Sequence, residues 1–127
     1  KILMVRRRNK SAAQGKVMHY SNDGGATWEK GFASTITATR CLQVMETCGG
    51  TVMCSAPGKR ARTHGKIWYS RDDGRTWSSK LIDKGPFSYS TVNRLKGDYL
   101  ICCYSRGHHG EKGIGARIFS IRWLDTK

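Results

Sequence analysis

The sequence predicts an all-β fold assembled from repeated sheet units. Short runs alternate apolar and polar residues, as in Lys16-Val17-Met18-His19-Tyr20-Ser21, and turn residues punctuate them. No segment keeps a helical period over any length. An eight-residue pattern, Ser-x-Asp-x-Gly-x-Thr-Trp, occurs twice, starting at Ser21 and at Ser70. That separation suits one blade of a β-propeller, and a chain of 127 residues holds about three blades at roughly 40–45 residues each.

The elements follow in order. Ile2 to Val5 is a short apolar strand. Lys16 to Ser21 is a second, ended by Asn22-Asp23-Gly24-Gly25, and Gly31 to Ala38 supplies a further one. Cys41 to Glu46, then Gly49-Gly50, then Thr51 to Ser55 reads as a hairpin, closed by Ala56-Pro57-Gly58. Lys66 to Ser70 is a strand ended by Asp72-Asp73-Gly74. Thr91 to Leu95, Lys96-Gly97-Asp98 and Tyr99 to Tyr104 form another hairpin, and Ile114 to Leu124 is the last strand. In each repeat the aspartate accepts backbone hydrogen bonds inside a tight turn, and glycine takes positive φ. The tryptophan is expected to anchor the turn between sheets. Ser21, Asp23, Gly25, Thr27, Trp28 and Ser70, Asp72, Gly74, Thr76, Trp77 are therefore structural residues.

Lys and Arg total 23 against 9 Asp and Glu, a net charge of +14. The charge suits an anionic ligand. No zinc-finger, helix-turn-helix or basic-zipper pattern accompanies it, so nucleic acid is not the expected partner. No apolar run is long enough to span a membrane. Five cysteines leave at least one unpaired in a monomer, and Cys102-Cys103 read as buried thiols. Unpaired thiols and no visible signal segment point to the cytoplasm or lysosome, with upstream sequence missing, since Lys1 opens directly on a strand. Asn9-Lys10-Ser11 is a glycosylation acceptor only if the chain is secreted. His108-His109 lack a third ligand at metal spacing, so no metal is expected, and no organic cofactor is expected either. His19 and His64 have no evident partner. Three blades leave two open faces, to be covered by blades from the parent polypeptide or from another subunit.

The repeat resembles the Asp-box of sialidases (neuraminidases), a motif also found in sortilin-like receptors and several glycosidase families. The flanks narrow the choice. Gly85-Pro86-Phe87-Ser88-Tyr89-Ser90-Thr91-Val92 resembles the sialidase segment carrying the nucleophilic tyrosine. Ile114 to Leu124 resembles the closing strand, and Cys41 occupies a position where the family often has Cys. Ala56-Pro57 followed by Arg62 resembles the loop presenting one arginine of a carboxylate-binding triad. Leu3-Met4-Val5-Arg6-Arg7-Arg8-Asn9 resembles the strand of the central arginine, placed at Arg8, or at Arg7 or Arg6 in a shifted register. The resemblance implies a partial six-bladed sialidase-type propeller, its C-terminal part.

What the resemblance implies about function is an exo-α-sialidase that releases terminal sialic acid from sialylated glycans with retention. A neutral tyrosine serves as nucleophile because the substrate's carboxylate would repel an anionic one. Tyr89 is the implied nucleophile. Arg8 and Arg62 are two of three arginines whose planar forks match a carboxylate. The third arginine, the acid/base aspartate and the base glutamate have no counterpart here, and Glu46 is wrongly placed for the last. Ser105 stands where the family has an arginine-orienting glutamate, with Glu111 only nearby in sequence. The alternatives are a lectin-like module binding sialylated glycans or free sialic acid, and a truncated, inactive sialidase-like protein.

Overall fold

The computed structural model describes residues 1–7, 15–107 and 113–127. Strands β1 (Ile2–Arg6), β2 (Val17–Ser21) and β3 (Phe32–Ala33) form one antiparallel sheet. A second sheet comprises β4 (Met45–Cys48), β5 (Thr51–Ala56), β6 (Thr63–Ser70) and β7 (Ser78–Pro86). The third comprises β8 (Ser90–Arg94), β9 (Tyr99–Ser105) and β10 (Ile114–Ser120). Every pairing is antiparallel, so successive connections alternate between two ends of the molecule.

Two cores flank the four-stranded sheet. Between the first two sheets lie Met18, Ile36, Ala38, Cys54, Ala56, Trp68 and Trp77. Between the second and third lie Met53, Ile67, Phe87, Val92, Leu100, Cys102 and Tyr104. Burial on both faces explains why β5 reads as a nearly continuous buried run rather than an alternating one. The outer sheets have no such cover. Ile2 is 41% exposed on β1, and Ile114 and Ile118 are 85% and 64% exposed on β10. The stack of sheets is unclosed.

Several elements differ from the sequence expectation. The strand expected over Gly31 to Ala38 contracts to Phe32–Ala33. Ser34 and Ile36 instead bond back to Lys16, which sends Ile36 and Ala38 into the core. Residues 41–44 precede β4 rather than belong to it. The final strand stops at Ser120, whose hydroxyl accepts from the Trp123 amide and starts a 3-10 turn over Ile121–Asp125. Lys80 holds that turn by donating to the Trp123 and Thr126 carbonyls. β7 lacked a sequence signal because its outer-strand run, Ser-Ser-Lys-Leu-Ile-Asp-Lys-Gly-Pro, is mostly polar. All five cysteines are free thiols, and Cys103 is half-buried where burial was expected. No helix among the described residues is long and apolar enough to cross a membrane.

Candidate functional site

Tyr89 lies in the connection between β7 and β8, at the end of the molecule opposite the repeat turns. Its backbone is pinned. The Tyr89 carbonyl accepts from the Ser105 amide at 2.9 Å, and the Ser88 amide donates to the Ser105 carbonyl at 3.0 Å. On either side Ser88 and Ser90 are buried, and Ser90 shares a 2.7 Å hydroxyl bond with Ser55. The tyrosine ring between them turns outward and is 46% exposed.

Arg62 arrives from the β5–β6 connection, and packing shapes its approach. Gly65 lies flush against the Phe87 ring, where an added Cβ would sit 2.0 Å from a ring carbon. His64 takes a φ of 56°, and the β6–β7 register shifts around it. The Phe87 amide donates to the Arg62 carbonyl at 2.8 Å. This contact brings the two connections together. The Arg62 guanidinium then donates to the Ser88 hydroxyl at 3.2 Å and to the Arg40 carbonyl at 3.3 Å. Its central carbon stands 5.3 Å from the centre of the Tyr89 ring, within cation–π range. The structure thus juxtaposes Arg62 and Tyr89, which are 27 positions apart in the chain.

Arg8 lies outside the described residues, as do Asn9-Lys10-Ser11, His108-His109 and Glu111. Its neighbour Arg7 lines a cavity of about 110 Å³ with Val5, Cys41, Leu42 and Gln43. Cys41 links that cavity to Ser88, with its sulfur 4.0 Å from the Ser88 hydroxyl. Glu46 is engaged elsewhere, accepting from the Thr47 and Arg94 amides at 2.8 and 3.3 Å. Among the described residues, no carboxylate hydrogen-bonds to the Tyr89 hydroxyl, and no three His, Cys, Asp or Glu side chains gather as metal ligands. A larger cleft of about 450 Å³ lies at the other end, between the first two sheets, and holds neither Tyr89 nor Arg62.

A charged network that the sequence did not signal adjoins Phe87, whose ring stacks on Tyr104 with centroids 4.3 Å apart. Asp83 accepts from the Tyr104 hydroxyl, from the Gly85 amide at 2.7 Å and from Arg117 at 3.0 Å. The Tyr104 hydroxyl lowers the Asp83 pKa, and burial pushes Tyr104 up to about 12. These residues lie on β7, β9 and β10, so only folding assembles them.

At the opposite end the two repeat turns have matching bonds. In the first, Asp23 accepts from Ser21, from the Thr27 amide at 2.9 Å and from the Thr27 hydroxyl at 2.5 Å. In the second, Asp72 accepts from Ser70, from the Thr76 amide at 2.9 Å and from the Thr76 hydroxyl at 2.7 Å. The serine hydroxyls accept from the Gly25 and Gly74 amides, each at 2.8 Å. Trp77 is buried and donates to the Gly74 carbonyl, whereas Trp28, expected to anchor its turn between sheets, is 40% exposed.

No family model matches the chain, and no curated protein matches it. Among solved structures it is similar to the intramolecular trans-sialidase from Ruminococcus gnavus in complex with oseltamivir carboxylate. The TM-score is 0.64 at 18% sequence identity, over 98% of this chain. The chain spans 33% of that neighbour's length. The likeness establishes a sialidase-like fold: three antiparallel sheets forming part of a propeller.

Proposed function

We propose that the chain supplies part of an exo-α-sialidase site. In this reading Tyr89 is the nucleophile, and Arg62 and Arg8 hold the carboxylate of a terminal sialic acid. The remaining blades come from the parent polypeptide or from another subunit. The observation supporting it most is the Arg62–Tyr89 pair, a guanidinium anchored by Ser88 beside an outward-facing phenol. In the proposed reaction the Tyr89 oxygen bonds to the anomeric carbon as the glycosidic oxygen leaves. The phenolic proton passes to a base, an acid protonates the leaving oxygen, and water later displaces the tyrosine. Tyrosine ordinarily titrates near 10, so the step needs that base. In this reading the base and the acid come from the missing blades.

The same observation favours a second reading, a lectin-like module that binds the sugar without cleaving it. Assay on a fluorogenic sialoside separates the two. This chain alone is expected to give no turnover. The protein completed with its missing blades is expected to cleave, and Tyr89→Phe to lower kcat about a thousandfold or more. Arg62→Ala is expected to weaken binding of free sialic acid about 10- to 100-fold, the worth of charge-assisted hydrogen bonds to a carboxylate. A completed protein that never cleaves, and that binds sialic acid equally well with and without the Tyr89→Phe substitution, would establish the lectin reading.

A further inference from the structure

Alternation of the connections sorts charge along the molecule. The described residues of the connections that follow β1, β3, β5, β7 and β9 include seven Lys and Arg and no Asp or Glu. The segments that follow β2, β4, β6, β8 and β10 include six Lys and Arg and six Asp and Glu. The excess positive charge of these loops therefore lies at the Tyr89 end, while the end with the repeat turns is balanced.

Part of that charge lines two concavities at this end. One, of about 520 Å³, is lined by Lys59, Arg60, His64 and Lys66 in the same connection and strand that carry Arg62. The other is the cavity with Arg7 and Gln43, beyond Arg40 and Cys41. The Gln43 side-chain nitrogen is buried without a hydrogen-bond partner. Lys16 nearby is 2% exposed, and the groups acting on its charge are the thiols of Cys41 and Cys54 and the cation Arg7. Burial lowers its pKa.

Resting on the sialic acid reading of Arg62 and Tyr89, we infer that the ligand is an acidic oligosaccharide carrying carboxylates on neighbouring sugars. One anion lies at Arg62 and a second on the platform of Lys59 and Arg60. A single-stranded nucleic acid fits less well. Such ligands stack on several aromatic rings, and Tyr89 is the one exposed aromatic among the described residues of these connections.

The test is calorimetric titration of the protein completed with its missing blades, carrying Tyr89→Phe so that the trimer is not cleaved, with monomeric sialic acid and with its linear trimer, at low salt and at about 0.5 M salt. The trimer is expected to bind about tenfold or more tightly at low salt, with the advantage gone at high salt. The exposed double variant Lys59→Ala/Arg60→Ala should lose the trimer's advantage and keep monomer binding unchanged, with an unaltered denaturation midpoint showing that it folds. A trimer bound no more tightly than the monomer would overturn this inference and leave the reading of Arg62 and Tyr89 standing. Binding of neither sugar would overturn both. Tighter binding of an oligothymidylate of matched charge would overturn the assignment to a glycan.

Discussion

The turns Ser21–Trp28 and Ser70–Trp77 share one local structure in two surroundings. Both hold the same serine, aspartate and threonine bonds, yet Trp28 is 40% exposed and Trp77 is 9% exposed. The second turn meets the first sheet. Leu3 packs on Gly74, and Tyr20 donates to the Asp73 carbonyl at 2.6 Å. In the first turn, Trp28 and Ile2 flank Gly25 on the open side of the outer sheet. An eight-residue motif therefore encodes its hydrogen bonds, and a neighbouring sheet decides whether its tryptophan becomes core.

Substitutions can break that equivalence, and the largest expected effect is at the tryptophans. Trp77→Ala is expected to cost about 3–5 kcal/mol, the range for emptying a buried aromatic site. Trp28→Ala should cost about 1 kcal/mol, since much of its surface is already wet. Denaturant unfolding of both variants measures the difference, and equal losses would mean that another surface covers Trp28.

The glycines should differ less, in the same direction. Gly25 and Gly74 have φ of 97° and 85°, so alanine strains either one by about 1–2 kcal/mol. At Gly74 the new Cβ would also stand 2.3 Å from a Leu3 methyl, whereas at Gly25 the nearest atom is 3.8 Å away. Gly74→Ala is therefore expected to destabilise more than Gly25→Ala. Adding Leu3→Ala should rescue the first variant's excess loss and do nothing for the second.

Acid is expected to act on both turns alike, because its target lies within the motif. Asp23 is held at about 2, first by the Thr27 hydroxyl, and Asp72 at about 2, first by the Thr76 amide. Both folded values lie below the ordinary 3.8, so the unfolded chain binds more protons between them. Their contribution is present above 3.8 and disappears as pH falls through about 2. Unfolding midpoints measured from pH 5 to pH 2 should fall over this window, and either Asp→Asn variant should flatten the slope by a similar amount. Unequal flattening would show that the sheets reach into the turn's electrostatics.

Parts of the site divide the same way. Tyr89 and Arg62 could each be singled out by resemblance to the sialidase family, from Gly85-Pro86 before one and Ala56-Pro57 before the other. Ser88, which orients Arg62, carried no signal beyond its place beside Tyr89. Asp83, Tyr104 and Arg117 come from three strands and had none. The same held for Lys16, read as the start of a strand and found buried beside Cys41 and Cys54. Its alternation pattern was correct, but alternation tells which face a residue takes and not what covers that face.

By itself the sequence determined the all-β class, both hairpins, and two turns whose bonds span no more than a few residues. Those bonds are local, so residue type and spacing suffice to specify them. The tertiary structure alone decided that Ile36 and Ala38 enter the core rather than extend a strand. It also decided that Trp77 is buried while Trp28 is not, and that Arg62 stands over Tyr89 at the positively charged end. Each of these depends on contacts between sheets, whose partners lie far apart in the chain, and burial is a property of the neighbour as much as of the residue.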